Sequence, residues 1–288
     1  MQHRTDLALE AALGYTDTLP DDAHREERRV GEVTIDRLAL GQRSAEALSR
    51  KVGHYVTVSF PPLTDNERHL EETAGVIGEE MRALLPRQGT VLVVGLGNES
   101  ITPDALGPRA ADMVLATRHI RGEFARSAGL DDLRPVAVVR TGVLGDTGVE
   151  SSETVAALCA QIRPVAVIAV DALACRSLSR LGCTVQVCDS GIAPGSGIGN
   201  DRLPLEKETL GVPVIGIGVP TVVDAVTVAR ELTGTDGGET VTPNGRAMMV
   251  TPREIDLMIS RAARLVAMSI NAALQPDYSP ADLVAAAV

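Results

Sequence analysis

The sequence predicts an α/β fold, a mostly parallel, twisted sheet covered by helices on both faces. Three observations carry that expectation. Thr90–Leu96 (TVLVVGL) and Val165–Val170 (VAVIAV) are uninterrupted apolar runs, as strands buried on both faces require. Segments with helical periodicity stand between such runs, and this alternation builds parallel sheets. The third is compositional: 44% of the 288 residues are hydrophobic, yet Trp is absent and Phe and Tyr number two and three. A core of Val, Ile, Leu and Ala suits strands packed under helices.

In chain order, the first thirty residues are polar and charged and read as a flexible arm. Val33, Ile35 and Leu38 give a partial strand signal, and His54–Phe60 a second strand closed by Pro61-Pro62. Thr64 or Asp65 is expected to cap a helix with the apolar stripe Leu70, Ala74, Ile77, Met81 and Leu84. Thr90–Leu96 then leads through Gly97-Asn98 into a helix from Leu106 to Ala116. Pro135–Val139 is the next strand, and Ser151 or Ser152 caps a helix to Ile162. Val165–Val170 is followed by strands at Val185–Cys188 and Val214–Gly218 and a helix from Thr221 to Leu232. Thr251-Pro252-Arg253-Glu254 reads as a capping box before a last long helix that stops at Pro276. No repeat or composition break interrupts residues 88–275, so one domain over residues 1–288 is expected.

The net charge of −11 argues against direct contact with nucleic acid or an anionic membrane surface, which clustered Lys and Arg would provide. No uninterrupted apolar run approaches the ~20 residues of a membrane span. The N-terminus shows no apolar signal-peptide core, so the expected compartment is the cytoplasm. The four cysteines, Cys159, Cys175, Cys183 and Cys188, form no CxxC pair, and all five histidines lie at or before His119. They read as reduced thiols; no metal and no cofactor are expected.

In an open parallel sheet, ligands gather at the carboxyl ends of the strands. Two strands there lead to a carboxylate: VLVVGLGNESITPD reaches Asp104, and VAVIAVD reaches Asp171. Carboxylates that face one another share a proton, so one can activate water while the other protonates the carbonyl oxygen or leaving amine. An Asp after a buried strand is as often a helix cap or loop hydrogen-bonder. GLGN invites a dinucleotide reading, but Ser100 stands where GxGxxG needs glycine. Cys175 and Ser177 follow Asp171 closely, which keeps a covalent nucleophile open as the lesser reading. The segment Asp189–Asn200, with Gly195, Ser196 and Gly197, is dense enough in glycine to clasp a substrate main chain or an anion.

The segments GLGNESITPDALGP, TRH at Thr117–His119, TGVLGDTGVESSE, AVDALACRS, DSGIAPGSGIGN and GVPTVVDA are long and stand in one order. On them, the chain resembles the spore germination proteases of endospore-forming Firmicutes from Arg4 to the last long helix. That resemblance implies an aspartic-type endopeptidase with Asp104 and Asp171 catalytic. Its substrates would be the small acid-soluble proteins that coat DNA in dormant spores. It implies a fold similar to the hydrogenase-maturation proteases (phosphorylase-like), a homotetramer in the forespore or spore core, and an inactive zymogen that removes its own N-terminal segment. Family substrates are cut after an acidic residue in a Thr-acid-apolar-Ala setting, which Thr5-Asp6-Leu7-Ala8 followed by Glu10 imitates. A short pro-segment, residues 1–6, and self-cleavage between Asp6 and Leu7 are therefore expected. The terminus looks too polar to pack, and the Asp6 carboxylate is expected to need a basic partner, Arg118 or Arg140, which are also candidate substrate-binding residues. Two rivals stand beside this reading: a metal peptidase with Asp104, Asp171 and His119 as ligands, and a non-catalytic protein that binds a peptide or small anion.

Overall fold

Each apolar run becomes a strand because a buried backbone must satisfy its N–H and C=O groups in a ladder. The computed structural model describes residues 5–65, 69–127, 129–193, 203–234 and 248–287. Its strands are β1 (Ala23–Val30), β2 (Val33–Leu40), β3 (Gly53–Ser59), β4 (Val91–Leu96), β5 (Val136–Gly142), β6 (Ala166–Cys175), β7 (Thr184–Cys188), β8 (Val214–Asp224) and β9 (Met249–Val250). The helices are α1 (Ala8–Leu13), α2 (Gln42–Leu48), α3 (Leu70–Leu84), α4 (Leu106–Asp112), α5 (Gly122–Ser127), α6 (Leu144–Thr147), α7 (Ser151–Ile162), α8 (Lys207–Leu210), α9 (Ala225–Thr233), α10 (Ile255–Leu274) and α11 (Pro280–Ala287).

All strands join one sheet in the order β1-β2-β3-β7-β8-β6-β4-β5, with β9 against β8. The α/β class holds, but the sheet is mixed. β5, β4, β6 and β8 pair parallel, while β8, β7, β3, β2 and β1 pair antiparallel. The antiparallel half follows from its connections. Gly31-Glu32 alone joins β1 to β2, with Gly31 at φ +58, and so short a turn returns the chain antiparallel.

One face of the sheet packs on α3 and α10 through a single apolar cluster that includes Ile35, Val58, Val93, Ile168, Val187 and Ile217. On the other face, α7 covers Leu92, Val94, Val167 and Val214. Farther along that face, α1 packs Ala8 and Ala12 with Leu38, Leu40, Tyr55 and Cys188. By length and composition α10 could cross a membrane, but 78% of its most apolar window is buried inside the protein.

Several expected boundaries move for identifiable reasons. The stretch expected as a flexible arm forms α1 and β1. Leu7, Ala8 and Leu9 are fully buried, and β1 looks loop-like in sequence because it is a charged, exposed edge strand, a common guard against edge-to-edge pairing. β6 does not stop at Val170 but continues to Cys175, because β8 runs on beside it as far as Asp224, where a helix from Thr221 was expected. The helix expected from Thr64 or Asp65 begins at Leu70. The helix expected to reach Ala116 stops at Asp112, where the Asn271 side chain takes the Leu115 N–H and the Met113 carbonyl. α7 is capped by Glu150, boxed with Glu153, in place of Ser151 or Ser152. α10 starts at Ile255 with no side-chain cap from the expected box.

Candidate active site

β4 is the shorter neighbour of β6. Their pairing ends at Gly95–Val170, and beyond it β6 keeps β8 on one side while β4 turns away. Gly97 makes that turn at φ +112, and a Cβ there would lie 2.1 Å from the Asp104 carbonyl oxygen, so only glycine fits. The chain then coils into a 3-10 turn, Thr102–Asp104, where the Asn98 N–H donates to Asp104 Oδ2 at 2.6 Å. α4 lies close on the strands because Gly107 has no side chain; a Cβ would meet the Leu96 oxygen at 2.1 Å. Asp171 is one residue past the last β4–β6 pair, buried, and its Oδ1 accepts from the Ala172 N–H at 2.9 Å.

Asp104 and Asp171 line the same cavity, of about 620 Å³. β8 lines it, and there Gly216 and Gly218 alternate with Ile215 and Ile217, so one face of that strand carries no side chain at those two positions. Asp6 lines it too. The Asp6 N–H donates to the Ala174 oxygen at 2.9 Å, and the Ala174 N–H donates back to Asp6 Oδ2 at 2.8 Å. Leu7 is fully buried with Leu173, Cys175 and Val223. The Arg50 guanidinium donates to the Thr5 carbonyl, and the Thr5 hydroxyl donates to Glu10. Burial pushes the Glu10 carboxyl above its ordinary value, although the N–H of Arg176 donates to it at 2.7 Å. From Thr5 on, the N-terminal segment is thus firmly packed, contrary to the polar, unpacked terminus expected from its sequence.

A profile of germination proteases matches residues 15–234. The chain belongs to the germination protease family. The germination protease of Caldanaerobacter subterraneus subsp. tengcongensis is 40% identical, covering 97% of this chain and 96% of that protein. Those of Clostridium perfringens and Priestia megaterium are each 34% identical, covering 97% and 95% of this chain and 97% and 94% of theirs. Among solved structures, a NiFe hydrogenase maturation protease from Thermococcus kodakarensis KOD1 aligns at 19% identity with a TM-score of 0.37, covering 67% of this chain and 99% of that one.

For this germination protease family member, a peptidase by that membership, the remaining candidates fall in different places. Arg118 is exposed, and its N–H donates to the Val136 oxygen at the start of β5, the end of the sheet away from the cavity. His119 stands beside it and does not line the cavity, so the Asp104, Asp171 and His119 ligand set is not brought together. Arg140 is exposed on β5 and pairs with Asp112 at 3.0 Å and Glu99 at 3.4 Å. Neither arginine lines the cavity beside Asp6, whose carboxylate accepts from the backbone N–H of Ala174. Gly195, Ser196 and Gly197 lie outside the described residues, while Ser190–Ala193 at the start of the same segment line the cavity.

Cys175 is buried, and burial first of all pushes its thiol up to about 12, far from a reactive thiolate. The Ser177 hydroxyl caps a 3-10 turn at Leu178–Arg180. One cavity residue escapes sequence reading altogether. Gln186 sits between two valines of β7 and is buried, and the signal was there: a lone amide in an apolar strand must find partners.

Proposed function

We propose that this chain is an aspartic-type endopeptidase that starts the degradation of small acid-soluble, DNA-coating spore proteins during germination. In this reading, Asp104 and Asp171 activate water and deliver the proton, with no covalent enzyme intermediate. The chain is made as a zymogen and cuts itself between Asp6 and Leu7. Its setting is a homotetramer in the cytoplasm of the developing spore.

One observation carries the reading: Asp6 lies in the same cavity as Asp104 and Asp171, in extended contact with the β6 edge at Ala174. A segment held there occupies the place a substrate would take, so latency and maturation have one cause. Burial of Leu7 and Ala8 keeps α1 in its seat after the cut, and residues up to Asp6 are the part released. The germination protease relatives support a peptidase that acts in germination.

The decisive experiment incubates the full chain and its Asp104→Asn variant with a small acid-soluble spore protein. The wild type should yield discrete fragments and mature chains that begin at Leu7, and the variant should yield neither. A fully active enzyme whose N-terminus stays uncut would remove the zymogen part. Tight binding without any fragment would turn the protein into the peptide-binding alternative.

A further inference from the structure

Gln186 makes two hydrogen bonds to the N-terminal segment. Its Nε2 donates to the Asp6 carbonyl oxygen at 3.0 Å, and its Oε1 accepts from the Ala8 N–H at 2.7 Å. A carbonyl only accepts and a peptide N–H only donates, so these partners fix which end of the amide is which. The two bonds bracket Leu7: one reaches the oxygen of the Asp6–Leu7 peptide, the other the N–H of the Leu7–Ala8 peptide. A neighbouring β-strand grips an extended peptide in the same way, with main-chain hydrogen bonds that ignore side-chain identity.

The first of the two bonds has chemical weight. Asp6 O is the oxygen of the bond that, on the reading above, is cut. Gln186 also stands in register with Gly218, and Gly218 with Asp171, across three adjacent strands. Residues paired across strands project on one face, so the amide and the carboxylate flank a glycine on the same side of the sheet. A Cβ on Gly218 would lie 2.6 Å from both the Asp171 backbone carbonyl oxygen and Leu173 Cγ, so β8 comes this close to the end of β6 only as glycine.

We infer that Gln186 is a catalytic residue, the donor that stabilises the oxyanion of the scissile peptide, and that its carbonyl end holds the substrate chain two residues on. This rests on the assignment of Asp6–Leu7 as a bond the enzyme hydrolyses. As the oxygen of water bonds to the Asp6 carbonyl carbon, one carboxylate takes the water's proton. The carbonyl π pair moves onto Asp6 O, toward the waiting Nε2–H. Collapse restores the carbonyl and breaks the C–N bond, and the Leu7 nitrogen leaves with a proton from the other carboxyl group. The donor is in place before charge develops, so no reorganisation accompanies the step.

The test measures self-cleavage of the full chain in Gln186→Glu and Gln186→Met. Gln186→Glu keeps an acceptor for the Ala8 N–H but removes the donor, and the rate should fall about 100-fold, the usual loss for one oxyanion donor. Hydrogen exchange over residues 5–13 should stay as slow as in the wild type, because the segment remains seated. Gln186→Met removes both groups, so exchange there should quicken as well as the rate fall. Gln186→Asn, which keeps both groups but shortens their reach, decides the matter if the other two fail to fold: a lower rate at an unchanged melting temperature supports the role. Rates within about three-fold of wild type in folded variants, beside an inactive Asp104→Asn, would overturn Gln186 and leave the aspartates standing. A wild type that never cuts after Asp6 would overturn both.

Discussion

The parallel and antiparallel halves of the sheet are built differently and meet at β8. In the parallel half, β4 and β6 are apolar along nearly their whole length and buried on both faces, which leaves polar groups room only where the ladder ends. Asp104 and Asp171 sit at that end. In the antiparallel half, strands are half-exposed or mixed, and polar side chains can enter the ladder itself. Gln186 on β7 does so, as does Asp36 on β2, which pairs with Arg25 Nε at 2.8 Å. The rigid half carries the carboxylates and the more permissive half carries the grip on the main chain. A site at the seam uses both without asking either to break its own pattern.

The sharpest way to break this comparison is to separate turnover from stability. Asp104→Asn and Asp171→Asn should each lower proteolysis by at least about 1,000-fold while the melting temperature holds, and the double variant should be no worse than either single one, as for groups that act as a unit. Additive losses in kcat would mean the two carboxylates do not share one step. Leu7→Ala tests the opposite property. Leu7 is buried among Leu173, Cys175 and Val223 on the extended ends of β6 and β8, so its truncation should cost about 2–5 kcal/mol in a urea titration. A loss below about 1 kcal/mol would mean that α1 is not seated as described.

A finer prediction concerns pH. Burial raises the Glu10 carboxyl above its reference value of 4.5, so folding favours the protonated form. That contribution is complete below the unfolded value and disappears as pH rises through the folded one. Glu10→Gln should therefore melt above the wild type at neutral pH, with the gap closing as pH falls toward 4.5. A gap that widens on acidification would reverse the sign and the assignment. The smallest effect is expected at Cys175. Its thiol is protonated and buried, so Cys175→Ala should keep kcat within about three-fold, and thiol reagents should leave no inactivating adduct. Complete loss in a folded variant would move the chemistry to a covalent nucleophile.

The parallel core was legible in the sequence because unbroken valine-rich runs have no other stable home, and with it the end of the sheet where Asp104 and Asp171 lie. Two things were not legible. β1 carries Arg25, Glu26, Glu27, Arg28 and Arg29 in succession, so no periodicity marks it; only its partner β2 makes it a strand. The seat of the N-terminal segment depends on contacts between residues some 170 positions apart, such as Asp6 with Ala174, which no local pattern encodes. The Gly216-Ile217-Gly218 alternation was readable in principle, since two glycines at alternate positions of a strand leave a bare patch on one face.

An inequality of strand length has a final consequence. β4 spans six residues where its neighbour β6 spans ten, and the difference leaves a notch one strand wide in an otherwise continuous surface. Any extended chain that enters the notch is read first by its backbone, as a missing tooth is read by the shape of the gap. Selectivity then has to come from whatever stands at the rim. A longer β4 would heal the notch and give a tidier sheet. On the proposed function, the opening is a strand that was never finished, and a substrate would finish it for the duration of one turnover.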